Sequence, residues 1–311
     1  MRPVLYVVRA LPGASWDRLA TQFEIRGNPK RPAPDWPAAA AGASALAVTY
    51  LDAVDGPLLS RLPAVRIVAS YGVGVNHVDL DACRARGVVV TNTPGVLANA
   101  TADLTMALLL AAARRVAEGD RTIRRGGWTE NDPEFMLGIE VTGKTLGIVG
   151  MGQIGQAVAR RARGFELRVL YSSPGEKPVE GARRVPLETL LRESDFVALC
   201  CPLNAETRNL VSRERLRLVK PGAVLVNTSR GPVVDDEALA EALRDGRVAA
   251  AGLDVFRDEP RVPEAYRSLE NVVLTPHLGS GSRETRAAMA RLVTDELERF
   301  ARGEAPLHRV V

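Results

Sequence analysis

Long apolar runs are missing from this 311-residue chain: no stretch reaches the about 18 consecutive apolar residues a membrane-spanning helix needs, and the run at residues 4–8 is too short for a secretory leader. Cysteine is scarce. The three present are Cys83, Cys200 and Cys201, whose adjacent pair suits neither a bridge nor a metal-ligand spacing, so no metal site is expected and the thiols read as buried ones of a reducing compartment. Blocks of like charge are also missing. The 41 Lys and Arg and 37 Asp and Glu leave a net charge of +4 with both signs interspersed, which argues for a solvated surface and against a nucleic-acid partner. A soluble, cytoplasmic protein without a membrane partner is expected.

What is present is enough apolar material, 46% of the chain, to bury a large core in about two domains of ordinary size. Short apolar runs at residues 4–8, 46–48, 65–69 and 88–91 alternate with helical patterns at 16–22, 57–62 and 80–86, the mark of an α/β unit. Residues 26–41, rich in Pro and Ala, read as a surface loop between them. One long helix is expected over residues 97–118, buried on most sides by its apolar stretch 104–113 and suited to bridging two domains or two subunits. Further strands are expected at 145–150, 167–171, 196–201, 223–227, 248–254 and 272–275, and an amphipathic helix at 283–302 that returns to the first unit. The chain therefore reads as two doubly wound parallel-sheet domains. Residues 97–283 form a Rossmann-type dinucleotide-binding domain inserted into a flavodoxin-like substrate domain made of residues 1–96 and 284–311.

The apolar run 146–149 leads straight into Gly150, Gly152 and Gly155 at G-x-G-x-x-G spacing. In such a strand-turn-helix, the first glycine permits the turn, the second lets backbone approach a pyrophosphate, and the third lets helix pack on strand. The next strand ends about 20 residues beyond the first glycine, as a dinucleotide fingerprint requires.

Ligands of parallel sheets bind beyond the carboxyl ends of strands, and polar residues converge there. Arg230 follows the strand at 223–227, Glu259 the one at 248–254, and His277 the one at 272–275. Arginine suits a substrate carboxylate through its planar fork, and histidine, titrating near about 6.5 when unperturbed, suits proton exchange with a carbonyl oxygen. A carboxylate beside that imidazole would favour its charged form and fix its orientation. Each has a plainer reading as a surface arginine, a charged turn residue or a core imidazole. His277 is the sharpest pointer, because the only other histidines are His308 in the tail and His77 before a helix.

With these residues in place, the chain resembles the D-2-hydroxyacid dehydrogenase family, and within it the glyoxylate and hydroxypyruvate reductase branch. The likeness spans nearly the whole chain and is densest from Tyr71 to Ser282, through the motifs at residues 71–76, 91–94, 227–231, 251–256, 258–260 and 274–277. The resemblance implies that Arg230 binds and polarises substrate, His277 is the acid/base and Glu259 tunes it. It implies backbone donors for the substrate carboxylate at Val73 and Gly74, with Ser280 in the same cleft. It implies coenzyme contacts from Gln153, Ile154, Cys201, Pro202, Thr228, Asp254 and Gly279 beside Gly150, Gly152, Gly155, Arg230 and His277, and a homodimer joined through the inserted domains.

One departure bears on the coenzyme. Where NAD-preferring relatives carry an acid to meet the ribose hydroxyls, this chain has Ser172 and Ser173, so NADP is the expected coenzyme, with NAD as a second one that the chain is able to use. Pro174 stands where NADP-using relatives place arginine, which leaves Lys177, Arg183 or Arg184 to supply the charge. The expected reaction is reduction of glyoxylate or hydroxypyruvate to the (R)-2-hydroxy acid where chiral. Phe135 stands in a stretch where some relatives carry a tryptophan that reaches the partner's substrate, so substrate size stays open. The rivals are a 3-phosphoglycerate or D-lactate dehydrogenase and a non-catalytic NAD(H)-sensing binding protein. No cation adjoins residues 73–76 to hold a phosphate, and no appended regulatory domain is evident.

Overall fold

The structure, a computed structural model, describes residues 2–28 and 30–311. Met1 and Pro29, which fall in the expected first domain and the expected loop, lie outside the described residues. The chain divides into two compact units, residues 1–97 with 281–311 and residues 98–280.

In the first unit the strands are β1 (Val4–Val7), β2 (Glu24–Gly27), β3 (Ala45–Thr49), β4 (Ile67–Tyr71) and β5 (Val89–Thr91). The helices α1 (Trp16–Leu19), α2 (Trp36–Ala39), α3 (Gly56–Arg61) and α4 (Leu80–Ala85) connect them. All pairings are parallel in the order β2-β1-β3-β4-β5, the flavodoxin-like arrangement expected. Asp55 and Asp79 cap α3 and α4 by accepting from Leu58 N and Ala82 N. The expected loop over residues 26–41 needs correcting, because it contains the end of β2 and all of α2, which its exposed, non-alternating residues concealed.

The returning helix, Arg283–Ala301, is the last of the chain and packs on β4. The tail beyond it is more than a polar overhang. Arg309 bridges Thr91 in antiparallel fashion, Val310 N donates to Val90 O at 2.7 Å and Val90 N to Val311 O at 3.3 Å. Glu296 of the returning helix, almost fully buried, accepts from the main-chain N–H groups of Leu307 and His308 and from the His308 ring at 2.7 Å.

The second unit holds α5 (Ala98–Ala113), α6 (Val116–Arg124), β6 (Thr145–Val149), α7 (Gln153–Ala162), β7 (Arg168–Ser172), β8 (Ala182–Arg184) and α8 (Leu187–Glu193). It continues through β9 (Phe196–Leu199), α9 (Arg213–Leu216), β10 (Ala223–Asn227), α10 (Asp236–Arg244), β11 (Val248–Leu253), α11 (Glu264–Arg267) and β12 (Val272–Leu274). Its parallel sheet runs β12-β11-β10-β9-β6-β7-β8, so the order reverses beside β6, where the glycine turn lies. Alternate side chains of one strand feed opposite layers: Leu225 joins the core under α8 and α10, whereas Val224 and Val226 join the core under α5 and α7.

Two expectations are corrected here. The edge strand β8 was absent from the expected set because its residues, Ala-Arg-Arg, carry no apolar alternation. The single helix over 97–118 is two, divided at Arg115, whose φ of 54° is left-handed. The break is fixed from elsewhere in the chain: Ile139 N donates to Ala113 O at 2.8 Å, and Arg115 is held by Glu118 at 2.7 Å. α5 itself packs against α7, β10 and β11.

Candidate active site

Gly150 leaves β6 with φ of +95°, and a side chain there would strike the Cys201 backbone at 2.7 Å. A Cβ on Gly155 would sit 2.1 Å from Gly150 O, so the helix approaches the turn as closely as its backbone allows. Gly152 differs. It is the N-cap of α7, makes no side-chain cap, and a Cβ built on it meets nothing within 4 Å. The amides of Gln153 and Ile154 thus begin a helix whose positive end borders open space, a cradle with the room and the donors for a pyrophosphate. Cys201 is pushed up to about 11 and Cys200 to about 12 by burial, so both thiols stay protonated and act by shape.

At the ends of β10, β11 and β12 the chain brings together Arg230, Glu259 and His277. Glu259 Oε2 lies 2.7 Å from His277 Nδ1, while its Oε1 accepts from Phe256 N at 2.9 Å. The His277 and Glu259 side chains are 19% and 17% exposed, enough for a small ligand to reach and little enough to limit water. Burial works to raise the Glu259 carboxyl, yet the His277 hydrogen bond and charge, the Phe256 amide and the Arg230 guanidinium outweigh it and hold the group below the usual carboxylate range. The carboxylate engages Nδ1, which orients the ring so that proton exchange with a ligand would run through Nε2. Arg230 is aimed by its own neighbours: Asn227 Nδ2 donates to Arg230 O at 3.0 Å, and Arg230 Nη1 donates to Ser229 O at 2.6 Å.

His277 has a left-handed backbone, φ 53°, and Asp254 holds it there. His277 N donates to Asp254 O at 2.9 Å. The carboxylate accepts from Leu278 N at 2.6 Å, Gly279 N at 2.8 Å and Thr275 Oγ1 at 2.6 Å. Burial pushes the Asp254 carboxyl up, opposed by those donors and by the charge of His277. Beneath this, Thr228 shares a 2.7 Å hydrogen bond with Thr105 of α5, both buried. Sequence reasoning missed Thr105 and Thr275. The signal for Thr105 was a hydroxyl inside an otherwise apolar helical stretch.

At the end of β7, Ser172 O accepts from Gly150 N at 2.8 Å and Ser173 Oγ donates to Gly175 O at 2.9 Å. Of the three cations considered for this place, Lys177 is held through its main chain by the Tyr171 hydroxyl and Arg183 pairs with Glu193 at 3.2 Å. Arg184 reaches the loop: Nε and Nη2 donate to Ser173 O at 3.2 and 3.0 Å, and Nη2 to Pro174 O at 2.9 Å.

In the first unit, Val73 and Gly74 follow the carboxyl end of β4. Val73 O accepts from Asn92 Nδ2 at 2.8 Å, and because a trans peptide sets C=O and N–H on opposite sides, the Gly74 N–H points the other way.

Comparison with known proteins bears on this arrangement. Residues 106–279 match the family model described as D-isomer specific 2-hydroxyacid dehydrogenase, NAD binding domain. The chain is 46% identical over 318 residues to the glyoxylate reductase of Pyrococcus furiosus, covering 98% of this chain and 94% of that one. A crystal structure of a Thermus thermophilus protein superposes with a TM-score of 0.94 at 46% identity, covering all of both chains. An NADPH-dependent glyoxylate/hydroxypyruvate reductase from Sinorhizobium meliloti, solved with NADP and malonate, superposes with a TM-score of 0.88 at 34% identity, covering 100% of this chain and 97% of that one.

Proposed function

From the premise that the chain belongs to the D-isomer specific 2-hydroxyacid dehydrogenase family, we propose that it reduces glyoxylate-type 2-oxo acids to 2-hydroxy acids with a nicotinamide coenzyme, NADPH by preference. The observation that carries the reading is the 2.7 Å Glu259–His277 pair at the strand ends, with the Arg230 charge acting on the same carboxylate. The relatives that are named as glyoxylate reductases support it, as does a relative solved with NADP.

The residues fit the coenzyme. Gly152 borders open space at the positive end of α7, and Gly150 and Gly155 have no room for side chains, so Gly150, Gly152, Gln153, Ile154 and Gly155 would hold the pyrophosphate. Cys201, Pro202, Thr228, Asp254 and Gly279 are assigned to the nucleoside and nicotinamide side, and Ser172 and Ser173 to the adenosine ribose. When bound, the coenzyme supplies the hydride that the carbonyl carbon accepts. His277 delivers the proton from Nε2 to the carbonyl oxygen while Glu259 keeps Nδ1 occupied and stabilises the imidazolium form that holds that proton. Arg230 draws on the substrate carboxylate and offsets the charge growing on that oxygen, a role worth about 3 kcal/mol for such donors. The amides of Val73 and Gly74 and the hydroxyl of Ser280 are assigned to the substrate carboxylate.

The test is loss of the reduced-nicotinamide absorbance band when purified protein meets glyoxylate or hydroxypyruvate with NADPH or NADH. Silence across a panel of 2-oxo acids would overturn the reading and favour a coenzyme-binding protein.

A homodimer joined through the second unit belongs to the same proposal. Residues 116–137 carry five large apolar side chains in the open, Val116, Ile123, Trp128, Phe135 and Leu137, more than an unpartnered surface segment of that length ordinarily exposes. No helix among the described residues is long and apolar enough to cross a membrane. The unbridged cysteines support a cytoplasmic setting.

A further inference from the structure

We propose that Arg184, a residue of β8 and not of the loop after β7, selects a coenzyme bearing a 2′-phosphate; the inference rests on the nicotinamide-coenzyme reading above and names the group that would discriminate. A 2′-phosphate at the end of β7 needs a fixed cation and no carboxylate. Ser172 and Ser173 remove the carboxylate, but they are weak substitutes for a cation, and the Ser173 hydroxyl is already donated to Gly175 O.

β8 lies parallel to β7 with Arg184 level with Tyr171, one step behind Ser172. Neighbouring residues on a strand face opposite ways, so of Arg183 and Arg184 only one is able to turn toward the strand-end loop. It is Arg184. Arg183 is spent on Glu193, whereas Arg184 spends Nε and Nη2 on the carbonyls of Ser173 and Pro174 and forms no ion pair among the described residues.

Two carbonyls grip one edge of the guanidinium and leave Nη1 with its donors and an uncompensated positive charge. Carbonyl contacts do not neutralise the group; they orient it. An arginine immobilised in this way has its side-chain entropy spent in advance, which favours capture of an anion by a charge-assisted hydrogen bond. Pro174, without an N–H and with φ restrained, keeps its carbonyl available as the second holding point. A neighbouring strand thereby supplies the charge that the loop itself lacks.

The test is calorimetric titration of the full chain with adenosine 2′,5′-bisphosphate and with 5′-AMP, ligands that differ in the 2′-phosphate and need no turnover. The wild type is expected to favour the bisphosphate. Arg184→Ala should weaken it by about 10- to 100-fold relative to 5′-AMP, the loss of one charge-assisted contact, with partial recovery in Arg184→Lys and no relative change in Arg183→Ala. Arg184 acting merely as a loop brace would weaken both ligands alike, and that result would overturn the proposal. So would a wild type that binds the two ligands equally, or an Arg184→Ala variant that keeps the wild-type ratio. Failure to reduce glyoxylate would strike the catalytic reading alone, since neither titration involves substrate.

Discussion

Replacing Asp254 by Asn leaves size and shape intact and changes what one terminal atom offers. The native carboxylate accepts from Thr275 and Leu278 on Oδ1 and from Gly279 on Oδ2. In the variant the amide nitrogen must face one of these donors, and the least costly arrangement sets it against the single Gly279 N–H. That N–H is buried and would be orphaned, at about 1–3 kcal/mol. The loss falls on the segment that keeps His277 left-handed, a conformation that itself costs about 1–3 kcal/mol and persists only under such constraint. For a unit of this size, about 2–4 °C of melting temperature accompanies each kcal/mol, so Asp254→Asn should lower the transition by about 2–12 °C. Because His277 would no longer be fixed, turnover at saturating coenzyme should fall with it. Differential scanning calorimetry and steady-state reduction of glyoxylate measure the two effects. An unchanged transition with unchanged turnover would refute the idea that this carboxylate clamps the histidine turn.

His277→Ala should reduce turnover by about 10²- to 10⁴-fold while coenzyme binding, followed by fluorescence quenching, stays near that of the parent. Glu259 is held below its unfolded value of about 4.3, so its stabilising contribution is complete above that value and is lost as pH falls through the lower folded one. Urea melts should therefore show the stability gap between wild type and Glu259→Gln closing as pH falls below about 4.3, and a gap that widens there would contradict the pairing. Gly155→Ala would drive a methyl into Gly150 O, costing about 1–3 kcal/mol and weakening coenzyme binding, which thermal denaturation with and without coenzyme would register. Ser173→Asp should shift the kcat/KM ratio toward NADH, since a carboxylate there repels a 2′-phosphate; a ratio that stays put argues that Ser173 is remote from the ribose.

The parts of this molecule legible in its sequence were those specified locally. The run into Gly150, Gly152 and Gly155 announced its turn because the positive φ of Gly150 and the approach of Gly155 to Gly150 O are local, whereas the contact of Gly150 with the Cys201 backbone is not. The buried strands were readable from continuous apolar runs, and the polar residues after them from the general rule for parallel sheets. What escaped depended on distant partners. Nothing near Arg115 signals a left-handed residue; the helix stops because Ile139, from a later segment, takes the Ala113 carbonyl. β8 shows no pattern because the sheet edge asks for none, and Thr105 gains its meaning from Thr228 on another element. The Glu259–His277 contact was anticipated from strand ends, whereas the fixing of their turn by Asp254 was visible only in three dimensions.

The antiparallel seating of residues 309–311 on β5 has a colloidal consequence. A terminal strand with vacant amides is an invitation to foreign chains, and such sheets commonly polymerise through it. On this flank the Val90 amide and carbonyl are consumed by the protein's own segment, and on the other β2 displays Glu24 and Arg26 as a charged, self-paired rim. Concentrated solutions should accordingly resist fibril growth seeded at this sheet, and trimming the last few residues should abolish that resistance before it alters the fold.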